Sequence, residues 1–211
     1  MKIGIIGTGR MGSILGKLWA AQGHAIMFGS RSPERAQVFA REIAESTNRD
    51  VSGGSSAEAA AFGEVVLLAV LGYVAVETVQ ALGPLEGKVI IDCNNALGPD
   101  GQLFVGYTSS LAEQIAAAAP GAHVVKAYNS IFYGNLEKPV MEGHRAGAFY
   151  CGDDADAKAK VAQLSAEIGF EPIDTGPLSS ARLLEPLAMV WMQIARLGGN
   201  PNFALALLRE E

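Results

Sequence analysis

Gly7, Gly9 and Gly12 stand in the spacing G-x-G-x-x-G, within Gly7-Thr8-Gly9-Arg10-Met11-Gly12, at the end of the apolar run from Lys2. Between a strand and a helix, that spacing suits a pyrophosphate. The first glycine permits a tight turn, the second lets backbone approach the phosphates, and the third lets helix and strand pack closely. Amide N–H groups at the helix start, aided by the helix dipole, would hold the anion. NAD sites carry an acidic residue about 20 positions further on, for the ribose 2′-hydroxyl. Here that stretch reads Phe28-Gly29-Ser30-Arg31-Ser32-Pro33-Glu34-Arg35, with no carboxylate at the strand end and two guanidiniums after it. Arg31 and Arg35, one helical turn apart, can converge on a 2′-phosphate with Ser30 donating a hydrogen bond. Thr8 and Arg10 can reach the same side. The competing reading is a solvated helix start whose arginines pair with Glu34 or Glu42. The residues point to NADP(H) rather than NAD(H).

Ligands of an open α/β sheet sit beyond the carboxyl ends of its strands. The groups expected there are Ala69-Val70-Leu71, Asn94-Asn95 and Tyr128-Asn129-Ser130. They suit a nicotinamide or a second ring and are poor acids and bases. Asn94 and Asn129 read equally well as turn residues capping their own loops. No Ser/His/Asp, Cys/His or clustered-carboxylate arrangement is visible, which argues against hydrolysis. His24 and His123 begin strands at the opposite edge, and His144 lies in a loop. Hydride exchange between two held rings needs orientation more than proton transfer. Lys126 reads as a strand-end lysine that snorkels to water, with substrate contact as the alternative.

To position these groups, the chain must alternate strands and helices. Strands are expected at Lys2–Gly7, Ala25–Phe28, Val65–Leu71, Lys88–Asp92, His123–Ala127, Ala148–Cys151 and Glu171–Asp174. Helices are expected from Met11 to Ala21, Pro33 to Ser46, Tyr73 to Leu82, Ser110 to Ala119 and Ala155 to Ile168, the last capped by Asp153. Asp50 to Ser56 reads as turns with one short strand. Unbroken apolar strands, each followed by a helix, indicate a Rossmann-type, doubly wound and mostly parallel α/β sheet covered on both faces. Residues 1–175 form the expected NADP-binding domain, and 176–211 a small C-terminal helical part. In that part a helix kinked at Pro186 stops at Gly198-Gly199, and Pro201 opens another.

Several patterns together resemble one known family, the coenzyme F420-dependent NADP oxidoreductases. They are Ile5-Ile6-Gly7-Thr8-Gly9 with Gly12, Gly29-Ser30-Arg31, Val125-Lys126-Ala127-Tyr128-Asn129, Cys151-Gly152-Asp153-Asp154, and Gly176-Pro177-Leu178-Ser179 with Arg182-Leu183 and Glu185. The likeness covers nearly the whole chain. It implies hydride transfer between nicotinamide C4 and a deazaflavin (coenzyme F420), without a dedicated acid or base, in a homodimer. It also implies that Thr8, Arg10 and Met11 meet cofactor phosphates, that Ser30, Arg31 and Arg35 meet the 2′-phosphate, and that Val70 and Leu71 line the nicotinamide. The archaeal members carry Pro where Leu71 stands and an aromatic where Gly72 stands. Asn94-Asn95 replaces a more apolar loop. The same pattern recurs in ferric-reductase domains that use a flavin, so a flavin is the alternative acceptor.

Composition sets the remaining bounds. Of 211 residues, 49% are hydrophobic and 18% charged, so the chain can bury a core, and a net charge of -6 gives no electrostatic support for nucleic acid or anionic membrane. Cys93 and Cys151 read as small apolar residues in a reducing cytosol. The start of the chain lacks a convincing signal peptide, and Leu187–Ala195 is too short to cross a bilayer, so a cytoplasmic protein is expected. Two rival functions fit the N-terminal half: a non-catalytic NADP(H)-binding regulator, and a short relative of pyrroline-5-carboxylate reductases or β-hydroxyacid dehydrogenases. The second needs a long helical C-terminal domain, and only about 35 residues follow Gly176.

Overall fold

The computed structural model describes residues 1–210; Glu211, the last residue of the expected C-terminal part, lies outside the described residues. The strands are β1 (Lys2–Ile6), β2 (Ala25–Ser30), β3 (Val51–Ser55), β4 (Val65–Leu68), β5 (Val89–Asp92), β6 (His123–Ala127), β7 (Val140–Met141), β8 (His144–Arg145), β9 (Gly147–Gly152) and β10 (Glu171–Asp174). The helices are α1 (Arg10–Ala21), α2 (Pro33–Thr47), α3 (Ser56–Phe62), α4 (Ala75–Gln80), α5 (Leu111–Ala118), α6 (Ala155–Glu167) and α7 (Ala181–Gly198).

Successive strand residues face opposite sides of a sheet. Accordingly Ile3, Ile5, Val65, Leu67, Val89 and Ile91 join one apolar cluster, with Leu15 and Trp19 of α1 and Val161 and Leu164 of α6. Ile6, Val66, Leu68 and Ile90 join a second, with Ala59 of α3, Val79 of α4, Ile115 of α5 and Leu184 of α7. Both faces are covered, which is why the central strands carry no polar alternation. The sheet runs β10-β9-β6-β5-β4-β1-β2-β3. Only β9 against β6 is antiparallel within it; the other neighbours run parallel. Its first six strands reproduce the Rossmann order, and the order reverses between β1 and β4, so the ligand crevice lies outside their carboxyl ends.

The structure also departs from the sequence-based expectations. The one short strand expected within Asp50–Ser56 is edge strand β3, but α3, absent from those expectations, follows it at once. A capping box starts α3: Glu58 N donates to Ser55 Oγ at 3.2 Å, and Ser55 N donates to Glu58 Oε2 at 2.7 Å. Asp154, not Asp153, caps α6, accepting from Ala157 N at 2.8 Å, while Asp153 accepts from Leu178 N across the chain. The expected Tyr73–Leu82 helix is a 3₁₀ turn (Gly72–Val74) followed by α4. As expected, Pro186 lies inside α7 and the helix stops at Gly198, with Gly199 as its cap. Residues 201–210 contain no helix. Tertiary partners take the carbonyls such a helix would use: Gly147 N donates to Leu205 O at 2.7 Å, and Asn135 Nδ2 and Trp191 Nε1 both donate to Phe203 O.

Candidate functional site

Gly7 N donates to Gly29 O at 3.0 Å and Ala69 N to Ile6 O at 2.9 Å, which draws the ends of β1, β2 and β4 together. The room around the three glycines divides their roles. A side chain on Gly7, at φ +108°, would collide with the Ala69 carbonyl, and one on Gly12 would collide with the Gly7 carbonyl. A Cβ on Gly9 would meet nothing within 4 Å. The fold therefore needs Gly7 and Gly12, whereas Gly9 keeps space open before α1. That helix has no capping side chain and no acid in its first turn. Its positive end is left for an anion, as a pyrophosphate site requires. Thr8 and Met11 are half-buried beside Gly9, and Arg10 is exposed. The Arg10 guanidinium lies 4.7 Å from the centre of the Tyr133 ring and donates to its hydroxyl. From Tyr133 an aromatic ladder continues through Phe132 and Trp191 to Phe203.

β2 ends at Ser30, whose Oγ accepts from Ser32 N at 3.2 Å. Arg31 and Arg35 are exposed, and among the described residues neither forms an ion pair. Glu34 instead accepts from the Ser32 hydroxyl. The paired, solvated helix start weighed above is thus not the arrangement found.

β4 stops at Leu68, shorter than expected, so Val70 and Leu71 leave the strand. Leu71 is 62% exposed and Tyr73 49%, giving an apolar surface at the carboxyl end of the sheet. A side chain on Gly72 would collide with the Asn95 carbonyl. The 94–95 loop therefore fills the space that an aromatic residue would need. Asn94 turns its polar groups inward: Val70 N donates to its Oδ1 at 3.0 Å, and its own N and Nδ2 donate to Asp92 Oδ1 at 2.9 and 2.8 Å. Asn129 Nδ2 donates to Asn95 Oδ1 and to Leu184 O, and its buried Oδ1 has no partner among the described residues.

Lys126 does not snorkel. It is fully buried, and its Nζ donates to Asp92 Oδ2 at 2.8 Å, Glu185 Oε1 at 2.9 Å and Asn94 O at 2.5 Å. Snorkelling fails because α7 closes over the strand end and brings its own carboxylate. Burial opposes the charge on Lys126, but Asp92 and Glu185 outweigh it and raise its pKa above the ordinary value. Glu185, also fully buried, accepts from Leu111 N at 3.0 Å and Ala112 N at 3.2 Å, so it caps α5 as well. This Asp92–Lys126–Glu185 triad was not read from the sequence. Its available signal was an acid inside each of two apolar runs, Val89-Ile90-Ile91-Asp92 and Leu183-Leu184-Glu185. Lys126 and Arg182 are both engaged within the protein. Cys93 is inert packing: burial pushes its thiol up to about 12.

Beside the triad, Arg182 Nη2 and Nε hold Glu113 at 2.6 and 2.9 Å, joining the starts of α7 and α5. The Arg182 hydrogen bond lowers the Glu113 pKa below its ordinary 4.5. A carboxyl depressed in the folded state adds stability above its unfolded value, and that stability is lost as pH falls through the folded value. Arg182→Ala is therefore expected to move the acid-unfolding midpoint upward, read by circular dichroism during acid titration; an unmoved midpoint would remove this pair from the account.

Residues 2–96 match the family described as NADP oxidoreductase, coenzyme F420-dependent. The F420-dependent NADP reductase of Methanothermobacter thermautotrophicus is 30% identical over 200 residues, covering 89% of this chain and 86% of that protein. The chain belongs to the coenzyme F420-dependent NADP oxidoreductase family. A crystal structure from Arthrobacter sp. FB24, described as a candidate F420-dependent NADP reductase, has 32% identity and a TM-score of 0.89, covering 99% of this chain and all of that one. The metalloreductase STEAP3 of Rattus norvegicus is 30% identical over 188 residues, and this chain spans only 36% of that protein's length. The match to the Arthrobacter structure therefore runs through the sheet and the part after Gly176 alike. Among the described residues, no helix is long and apolar enough to cross a membrane.

Proposed function

We propose that this chain is an NADP(H)-dependent oxidoreductase that exchanges a hydride with a deazaflavin of the coenzyme F420 class. The observation carrying this reading is the opening at Gly9 before an uncapped helix, together with Arg31 and Arg35, which form no ion pair among the described residues. Gly7, Thr8, Gly9, Arg10, Met11 and Gly12 would hold the pyrophosphate, and Ser30, Arg31 and Arg35 the 2′-phosphate. Val70, Leu71 and Asn129 would form the nicotinamide end, with Asn94 holding the Val70 amide from inside the protein. NADPH supplies the hydride from nicotinamide C4. The chain's own part is to orient two rings and exclude water, which needs no acid or base. Exposed Leu71 and Tyr73 offer the second ring an apolar seat.

The test is NADPH-dependent bleaching of the visible absorbance of F420, with NADH, FMN and FAD as controls. Bleaching by NADPH alone is expected. Reaction with FMN or FAD only would redirect the site to a flavin, and binding of NADPH without any ring reduction would favour a non-catalytic regulator.

The reading includes a homodimer, with residues 1–175 as the NADP-binding domain and 176–211 contributing to assembly and the acceptor side. α7 supports this by carrying two apolar faces. Ala181, Leu184, Ala188 and Trp191 are buried, while Leu183, Val190, Ile194 and Leu197 stand 72%, 54%, 47% and 78% exposed on the opposite side. Their heptad-like spacing forms one seam, suited to a second copy across a two-fold axis. Leu183→Glu/Ile194→Glu is expected to halve the sedimenting mass at micromolar concentration; a parent chain that already sediments as a monomer would overturn the assembly. A cytoplasmic setting accords with the two buried free thiols.

A further inference from the structure

The buried triad is more than a clamp between α7 and the sheet, because it continues without a break to the nicotinamide end of the proposed site. Glu185 of α7 meets Lys126 of β6, Lys126 meets Asp92 at the end of β5, Asp92 meets Asn94, and Asn94 meets the Val70 amide beyond β4, each link between 2.8 and 3.0 Å. All three groups of the triad are completely buried, so water cannot substitute for a missing link. Asn94 is gripped at four points: its N and Nδ2 by Asp92, its Oδ1 by Val70 N, and its O by Lys126. Lys126 thus holds Asn94 twice, once directly and once through Asp92. Burying two carboxylates with one ammonium is costly, and packed apolar residues would stabilise the fold at least as well. Such a network does, however, fix the register of the 92–95 loop against the end of β4.

We infer that Lys126 is a positioning residue, which through Asp92 and Asn94 sets the Val70 edge against which the nicotinamide is held. The inference rests on the proposed NADP(H) site. It separates two functions within that site. The phosphate cradle and the arginines supply affinity, and the triad sets where C4 lies relative to the acceptor ring. Hydride transfer is steeply sensitive to misplacement, with about 1 Å worth on the order of 100-fold.

Lys126→Met cuts the relay at its centre, and Asn94→Ala cuts it while leaving the three ionised groups paired. If Lys126→Met does not fold, Asn94→Ala carries the test. Three readouts are made on the full chain: the NADPH dissociation constant, the emission of the bound nicotinamide, and the single-turnover rate of ring reduction. The expected result is a dissociation constant within about threefold of the parent, emission moved toward that of free NADPH, and reduction slowed by about 100-fold. A folded variant with unchanged emission and rate would overturn the inference and leave the triad a structural clamp. Affinity and rate falling by the same factor would overturn it too, since the network would then serve binding. The emission readout needs no acceptor, so a parent protein that binds NADPH but reduces no ring would refute the proposed reaction and still decide the role of Lys126.

Discussion

Arg31→Ala is expected to weaken NADPH binding by about 100-fold while changing NADH binding by less than about threefold. A charge-assisted hydrogen bond to phosphate contributes roughly 1.5–3 kcal/mol, and 2.7 kcal/mol corresponds to about two decades in affinity. Arg31 can deliver that amount because it is exposed just after β2 and, among the described residues, pairs with no carboxylate that the ligand would have to displace. NADH lacks the 2′-phosphate and loses nothing when the guanidinium is removed. Arg35→Ala should act in the same sense. Titration of both nucleotides, at one fixed salt concentration because the contact is electrostatic, makes the comparison. Equal losses for the two would sink the 2′-phosphate assignment.

The glycine substitutions should divide as sharply. Gly9→Val is expected to leave the thermal midpoint almost unchanged, since its Cβ meets nothing within 4 Å, and to reduce NADPH affinity by more than about 100-fold by filling the phosphate space. Gly9 is the N-cap of α1 at φ -76°, a conformation open to any residue, and replacing an N-cap glycine costs less than about 1 kcal/mol. Gly12→Val should instead prevent folding, because the new side chain would run into the Gly7 carbonyl and the Ile5 side chain. Thermal melts and NADPH titration together decide. A Gly9→Val protein that binds NADPH normally would show that the open space is not the phosphate site.

What the sequence disclosed depended on how far each feature reaches along the chain. The glycine turn between β1 and α1, the end of β2 at Ser30, and the alternation of apolar strands with helices are local patterns, and each stands where it was expected. The α3 start was also local, but its Ser55-x-x-Glu58 box opens a short alanine-rich helix whose one large apolar residue, Phe62, stands at its end, so no apolar periodicity marks it. The triad was opaque for a different reason. Lys126 lies 34 residues from Asp92 and 59 from Glu185; the register of β6 against β5 sets it beside Asp92, and the folding of α7 over the sheet adds Glu185. Without that contact, a lysine ending a strand reads as a solvated one. Pro201 failed similarly, because tertiary hydrogen bonds to Gly147, Asn135 and Trp191 overrode a plausible helix start. The Asn94 and Asn129 side chains turn into the protein, which fits the loop-capping alternative and gives the 94–95 loop its rigidity.

The proposed reaction is direct hydride transfer from NADPH held at the Gly9 opening to a ring held beside Leu71. The most direct measurement uses NADPH deuterated on one face of C4 and follows the label into reduced F420, whose reacting C5 is carbon and does not exchange the label quickly. Full transfer of deuterium from one C4 face, and none from the other, is the predicted result, because a nicotinamide held between the Gly7–Gly12 turn and the Val70 edge would turn only one face to the acceptor. Reduced F420 that carries solvent hydrogen instead, or label arriving equally from both faces, would contradict the account.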